Sequence, residues 1–178
     1  MKKREFLTAL AAVAAWRPSK AQALDIKDDV RPTLHGKLYD GPRVTQLLVQ
    51  KEKRKLYLLH GQEVLKSYPV RLGFNPTGHK LKKGDGRTPE GLYYVDRRNY
   101  NSQFHLSLGI SYPNARDVAR ARMAGVTPGG DIFIHGGPRT AKEGRKRDWT
   151  AGCIAVSNNH MTEIFWMTEL GVPIFIGA

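Results

Sequence analysis

Short apolar runs separated by turn-forming residues set the pattern of this chain from residue 43 onward. Eight segments have the length and apolar content of strands: 44–49, 55–59, 63–72, 92–96, 102–110, 131–135, 153–156 and 172–176. Two segments, 114–124 and 158–170, have helical spacing, and the first would direct Val118 and Ala119 inward. The pattern therefore predicts a mainly β domain with one or two short helices.

One long connection interrupts the strands. Residues 73–91 are rich in glycine, lysine and proline and show no periodicity. A connection of this length without its own secondary structure is usually functional or disordered. Residues 24–42 are charged and also lack periodicity, so we predict that they form a lead-in before the domain. The predicted bounds of the domain itself are 43–178.

The first 23 residues have the three parts of an export signal. Three basic residues near the start precede an apolar stretch, residues 6–16, that is shorter than the roughly 20 residues needed to span a bilayer. Residues 21–23 are Ala-Gln-Ala, a small-x-small cleavage site. We therefore predict a signal peptide at 1–23, a periplasmic or envelope location, and no membrane span after cleavage. The alternative is an uncleaved anchor or a frayed tail.

The balance of charge indicates an anionic partner. The formal net charge of the whole chain is +13, and the predicted signal carries five basic residues and one acidic residue, so the remainder keeps +9. Export and the absence of a helix-turn-helix, zinc-finger or RNP-like pattern argue against nucleic acid. A polyanionic wall polymer or a membrane surface remains, although basic residues also serve only to keep a surface soluble.

Cys153 is the only cysteine of the chain, so it cannot form an internal disulfide. An unpaired cysteine in an exported protein is either a reactive thiol or a small buried residue. His135 precedes it by eighteen residues, and both lie where an apolar strand meets a glycine-rich loop. If the two strands are neighbours, the imidazole can accept the thiol proton and generate the thiolate, which is the form that attacks.

Glycines beside these two residues supply the backbone groups that such chemistry requires. A carbonyl of the Gly136–Gly137 segment can orient the imidazole, as the third member of a triad does. The N–H groups of Gly152 and Cys153 can form an oxyanion hole, worth about 3–4 kcal/mol per donor. The scattered histidines have no metal-ligand spacing, and no phosphate loop is present, so we predict no metal and no cofactor.

Two paired motifs resemble those of the L,D-transpeptidase catalytic domain (YkuD-type). Residues 134–136 and 150–153 resemble the family's His-Gly and Ser/Thr-His-Gly-Cys motifs, with a spacer of fourteen residues counted from 136 to 149, and residues 84–93 resemble its Thr-Pro-x-Gly-x-Tyr segment. The resemblance covers residues 43–178 and implies a β-sandwich or barrel-like fold. It also implies Cys153 as nucleophile, His135 as base and Gly136 as the carbonyl that orients the base.

The chain departs from the family pattern at two positions. Ala151 replaces a second histidine, and Ala155 replaces an arginine. Residues 104–108, 111–114 and 148–153 are more similar to the YafK-like branch, some members of which detach a lipoprotein from the wall. The resemblance offers His105 and Tyr112 as weaker candidates for substrate positioning. Strand and turn packing is the alternative for both.

The function that the resemblance implies is acyl transfer on peptidoglycan stem peptides at meso-diaminopimelate, through a thioester on the cysteine. The acceptor is an amine, giving a crosslink or an anchored lipoprotein, or water, giving hydrolysis as in the YafK-like branch. Basic residues of the loop that follows His135, Arg139 among them, are candidates to hold the carboxylates of the wall polymer. The rival interpretations are a catalytically idle wall-binding module and, more weakly, a general cysteine peptidase.

Overall fold

The computed structural model describes residues 33–34, 37–39 and 41–178. The predicted signal peptide lies outside the described residues, as does most of the predicted lead-in. The elements of the described part are β1 Thr33–Leu34, β2 Lys37–Leu38, β3 Gln46–Gln50, β4 Lys55–His60, β5 Glu63–Pro69, β6 Gly91–Ser102, β7 His105–Ile110, α1 Ala115–Met123, β8 Phe133–His135, α2 Ala141–Gly144, β9 Ile154–Ala155, α3 Asn158–Met167 and β10 Pro173–Gly177. The predicted mainly β composition is confirmed. A third helix, the single turn α2, was not predicted, and β6 is longer than its predicted segment.

One mixed sheet of eight strands organises the domain, in the order β5-β4-β3-β10-β6-β7-β8-β9. Its two edge strands approach each other. Arg71, just after β5, pairs with Ala155 of β9 through two backbone hydrogen bonds of 2.8 Å. Because paired edges leave few backbone groups open, this contact gives the sheet the barrel-like curvature that the resemblance implies.

The core lies inside this curved sheet and under α3. Alternation along β10 buries Ile174 and Ile176 completely, as expected for a strand with one face against the core. Helix α3 contributes four buried side chains at helical spacing, Met161, Ile164, Phe165 and Met167. A smaller cluster of Leu48, Tyr57 and Leu59 covers the other face of β3 and β4.

The prediction for the buried face of α1 was wrong. Val118 is 46% exposed, whereas Asp117 and Ala121 are buried. The Asp117 carboxylate accepts hydrogen bonds from the Tyr93 hydroxyl at 2.9 Å and from the backbone N–H of Asn114 at 3.0 Å. The buried hydrogen bonds of Asp117 therefore set the rotation of this helix about its axis. They outweigh the smaller gain that burial of the Val118 side chain would bring.

Buried charges order the long connection between β5 and β6. The Lys51 ammonium, 2% exposed, donates to the carbonyls of Gly78 and Thr88 and to the carboxylate of Glu90, at 2.7, 3.1 and 2.7 Å. Asp85 accepts from the Lys80 ammonium at 2.8 Å and from three backbone N–H groups. These contacts replace the secondary structure that the segment lacks, because each buried charge is matched by several hydrogen bonds.

Acid should weaken this loop through Asp85. Burial would raise the pKa of the Asp85 carboxyl, but Lys80 and the backbone donors outweigh it and lower the pKa to about 2. Because the folded-state pKa lies below the unfolded value of about 3.9, the stabilisation is complete above pH 4 and is lost as pH falls towards 2. Denaturant titrations of the wild type should show a loss of about 2 kcal/mol over this window from Asp85 alone.

The Asp85→Asn variant should lack this part of the acid sensitivity and should be less stable at pH 7 by about 3 kcal/mol, because Lys80 then remains buried without a counterion. Asp96→Asn, at a partly exposed carboxylate, is the matched control and should change stability by less than about 1 kcal/mol. Equal acid sensitivity of wild type and Asp85→Asn would contradict the assignment.

Candidate active site

The structure places His135 and Cys153 on neighbouring parallel strands. His135 ends β8, and Cys153 immediately precedes β9, with Ile134 opposite Ile154 and His135 opposite Ala155. Cys153 is thus level with the start of β8, two residues before His135. Since alternate residues of a strand share a face, both side chains lie on one face of the sheet. The condition set in the sequence analysis, that the two strands are neighbours, is therefore met.

The backbone after His135 fixes its ring. The ring is buried, and its Nδ1 lies 2.6 Å from the carbonyl oxygen of Gly136. An N–H at Nδ1 donating to this carbonyl leaves the Nε2 lone pair free to accept a proton. A side chain at residue 136 would not fit, because its Cβ would lie 2.5 Å from Asn158 Oδ1 and 2.7 Å from the Phe104 carbonyl.

Asn158, the first residue of α3, fixes the Gly136–Gly137 loop through a hydrogen bond. Its Oδ1 accepts a hydrogen bond of 2.8 Å from the backbone N–H of Gly137. The same helix start is capped by Ser157, so α3 sets the position of the Gly136–Gly137 loop relative to the sheet. Sequence reasoning missed this role, because nothing in the local pattern distinguishes Asn158 from an ordinary residue of a helical first turn.

Aromatic rings surround the imidazole. Phe104 lies 4.4 Å from it between ring centroids, and Trp149 lies 5.7 Å away. Burial among these groups lowers the pKa of His135, although the hydrogen bond to Gly136 acts in the opposite direction. The ring is therefore neutral at pH 7, which is the form required of a general base. The contributions of Phe104 and Trp149 were not predicted.

The thiol of Cys153 forms a hydrogen bond to a backbone carbonyl in this structure. Its Sγ donates to the carbonyl of Asp131 at 3.4 Å, and Asp131 itself has a left-handed backbone with φ of 54°. Burial raises the pKa of Cys153, while a hydrogen bond from the Phe133 backbone and the charge of Lys80 partly oppose the shift. The resting pair is consequently a neutral thiol beside a neutral imidazole.

The turn before Cys153 is held by hydrogen bonds within it. Thr150 Oγ1 donates to the Cys153 carbonyl at 2.7 Å and accepts from the Gly152 N–H at 3.2 Å. The predicted oxyanion hole therefore needs correction, because the Gly152 N–H is already bonded. Of the two predicted donors, the Cys153 N–H is left for that role. Gly152 has a φ of 139°, a region that L side chains rarely adopt.

The three weaker candidates lie in different surroundings. Tyr112 is buried, and its hydroxyl donates to the Pro128 carbonyl at 3.0 Å, so the structure favours packing over substrate contact. His105 Nε2 lies 2.8 Å from Thr162 Oγ1 on α3. Arg139 lies nearer the proposed centre, with its guanidinium over the Phe104 ring at 4.5 Å.

The remaining charges of Arg139 and Lys80 are largely satisfied internally. Arg139 donates to Glu143 at 2.8 Å and to Gln103 at 3.0 Å. Lys80 is 3% exposed and ion-paired to Asp85. Its positive charge acts against burial and lowers the pKa of the Cys153 thiol. The ammonium is too buried to contact a polymer.

The described residues contain neither a metal site nor a helix that could span a membrane. No group of three or more histidine, cysteine or acidic residues in that part of the chain could hold a metal ion. Among the helices described, none has the length and apolar character needed to cross a bilayer.

Comparisons with known proteins place this geometry in a family. The L,D-transpeptidase catalytic domain family, YkuD, matches residues 45–176. The curated protein YafK of Escherichia coli is 28% identical over 132 residues, which cover 72% of this chain and 48% of that protein. The chain thus spans about half the length of the curated relatives it matches.

Solved structures agree with the family match. A mutant of the helical cell shape determining protein Pgp2 from Campylobacter jejuni is 26% identical, with a TM-score of 0.58, over 78% of this chain and 48% of that chain. Bd1075 of Bdellovibrio bacteriovorus is 25% identical, with a TM-score of 0.53, over 76% of this chain and 48% of that chain. Since the family match covers most of the chain, this protein belongs to the L,D-transpeptidase catalytic domain family.

Proposed function

We propose that the protein is an exported cysteine acyltransferase that acts on peptidoglycan stem peptides at meso-diaminopimelate through a thioester. One observation carries the proposal: the imidazole of His135 is oriented by the Gly136 carbonyl on the strand adjacent to Cys153. This arrangement is the one that a thiol nucleophile and its base require. The family membership supplies the class of substrate.

The reaction begins with rotation of the thiol. The Cys153 side chain leaves the Asp131 carbonyl for another staggered rotamer, which brings Sγ towards Nε2 of His135. Nε2 takes the proton as sulfur attacks the peptide carbonyl, and the oxyanion forms beside the Cys153 N–H. The C–N bond then breaks, the departing amine receives the proton from the imidazolium, and the acyl group remains on sulfur as a thioester.

The second half of the reaction returns the enzyme to its resting state. An acceptor amine, or water, attacks the thioester while His135 accepts its proton. The C–S bond breaks, and the thiolate recovers a proton from the imidazolium. An amine acceptor gives a crosslink or an anchored protein, whereas water gives a shortened stem. The partition between them depends on how well the closed site excludes water.

The proposed partners follow from the substrate. Peptidoglycan is the partner, with a wall-anchored lipoprotein as an additional donor or acceptor, and the predicted signal peptide at 1–23 delivers the domain to the periplasm. Pgp2, which resembles this chain, bears a name that links it to helical cell shape. That link supports a role in the wall here too.

Incubation of the purified protein with defined muropeptides, followed by mass analysis, tests the proposal. Crosslinked dimers identify a transpeptidase, and released amines with shortened stems identify the YafK-like hydrolase or amidase alternative. The Cys153→Ser variant is the control for contaminating activity. Unchanged muropeptides with every acceptor offered would refute both versions.

An idle wall-binding module is the second candidate, and the resting thiol favours it. The hydrogen bond of the thiol to Asp131 and its raised pKa are features of a structural cysteine as well.

The raised pKa of Cys153 gives a prediction about its reactivity. Alkylation by iodoacetamide across pH should show a midpoint above that of the urea-unfolded chain, so at pH 7 the native thiol should react more slowly.

The unfolded chain serves as the internal control, because its thiol titrates near the free value of about 8.5. A native midpoint below that of the unfolded chain would contradict the prediction and would indicate a thiolate–imidazolium pair in the resting protein. A slow resting thiol favours the binder without excluding the enzyme, so the muropeptide assay decides between them.

A further inference from the structure

A cleft of about 750 Å³ lies next to the Gly137–Pro138 segment. It begins two residues after His135, but neither His135 nor Cys153 lines it. Its walls come from the start of β4, the chain just after β5, the loop after α2 and the start of α3. Six of the lining residues are basic: Lys53, Arg54, Lys55, Arg71, Arg145 and Arg147. We refer to this site as the basic cleft.

The positive charge of the basic cleft is only partly compensated. No aspartate or glutamate is among its lining residues. Arg54 is ion-paired with Asp148 at 2.8 Å, and Arg71 donates to the Lys146 carbonyl at 2.8 Å. The other four cations form no ion pair within 4 Å in the described part of the chain. Like charges brought together in a concave surface repel one another, so they favour the approach of an anion.

Helix α3 adds a positive end to the same cleft. Ser157 and His160 of its first turn line the cleft, and that turn contains no acidic residue. Its partial positive charge therefore has no carboxylate of its own to offset it. His160 Nδ1 is buried and has no hydrogen-bond partner among the described residues. A buried polar atom of this kind is stabilised when a ligand supplies the missing partner.

The shape of the cleft selects among anions. Its volume lies in the range of clefts that enclose discrete ligands, whereas a bilayer or a nucleic acid duplex presents a broad surface. A guanidinium group can bind a carboxylate through two parallel hydrogen bonds. Arg71, Arg145 and Arg147 supply three guanidinium groups to the cleft. A compact segment with several carboxylates therefore matches both the charge and the dimensions.

We infer that the basic cleft is a second binding site, which holds a peptide segment carrying two or more carboxylates beside the catalytic centre. The inference rests on the proposed function, because the stem peptides of peptidoglycan are the carboxylate-bearing peptides this protein would encounter. The cleft would hold an uncleaved stem, either of the acceptor or of a neighbouring strand. Its border at Gly137, two residues after His135, places that stem next to the segment that holds the proposed base.

Calorimetric titration of a diaminopimelate-containing tetrapeptide tests the site. The full chain carrying Cys153→Ser is used, so that binding is measured without turnover, at about 50 mM salt to limit screening. The added substitutions Arg145→Gln and Arg147→Gln should weaken binding by about tenfold or more. The matched control replaces Arg116 and Arg122, two exposed residues of α1 outside the cleft, by glutamine and should change the affinity less than twofold.

Three results would overturn the inference. Equal losses in the two arginine pairs would show a general effect of net charge. Full binding by a tetrapeptide with amidated carboxylates would exclude carboxylate recognition. Tighter binding of pyrophosphate, lost with the same cleft substitutions, would make the ligand a phosphate. Failure of the muropeptide assay with intact tetrapeptide binding would reject the proposed reaction and leave the cleft assignment standing.

Discussion

Turnover of stem peptides is expected to fall by at least about 10⁴-fold when His135 is replaced by glutamine, and by a similar factor in Cys153→Ser. Without the imidazole, the thiol keeps its proton at neutral pH, because burial raises its pKa and the proposed base is missing. Serine in place of cysteine has a far higher pKa and is a poor nucleophile beside a single neutral imidazole. Product formation measured by mass analysis quantifies both losses.

The double variant should be no slower than either single variant, since the two side chains act as one unit. Thermal unfolding provides the control, because a collapsed core would also abolish activity. Cys153→Ser should leave the melting temperature within a few degrees of the wild type. Activity above about a tenth of the wild-type rate in His135→Gln would show that another group removes the thiol proton.

Local pattern was sufficient for the elements that carry the proposed chemistry. Residues 131–135 lie between two glycines, and residues 153–156 follow a glycine and precede a serine, so the apolar runs and their limits are visible in the sequence itself. The pairing of the two strands was only conditional in the sequence. A parallel pair needs a crossover, and here the crossover is the basic loop with α2, whose length does not specify which strands it joins.

Buried charge explains what local pattern could not provide. Lys51 belongs to a segment that has the composition of an exposed charged turn, yet its ammonium is the most enclosed group of that turn. Its acceptors at Gly78 and Thr88 are 27 and 37 residues away along the chain. The burial of a lysine depends on whether such distant carbonyls converge on it, and periodicity carries no information about that.

The same reasoning applies to the direction of the thiol. The motif around Cys153 predicts a reactive cysteine but carries no information on its rotamer. The left-handed conformation of Asp131 turns its carbonyl towards the sulfur, and an aspartate tolerates that conformation without being diagnostic of it. The positive φ values of Gly137 and Gly152 are likewise invisible in sequence until the neighbouring loops are placed.

Gly152→Ala is expected to have the largest effect on stability, a loss of at least about 3 kcal/mol in the free energy of unfolding. Two costs coincide at this residue. Its φ of 139° is unfavourable for any L side chain, and an added Cβ would lie 2.7 Å from the Arg87 carbonyl oxygen and 3.3 Å from Ile132 Cδ1. Urea denaturation at pH 7 measures the loss as a shift in midpoint at constant slope.

Gly61→Ala separates these two costs. Gly61 also has a positive φ, of 58°, but a Cβ there would meet nothing within 4 Å, so only the backbone term of about 1 kcal/mol should appear. A larger loss at Gly152 then measures the contact with the Arg87 carbonyl. Equal losses would mean that the loop around Arg87 moves aside freely. A loop that moves aside would not displace the turn that carries Cys153. Turnover by Gly152→Ala should then approach the wild-type rate.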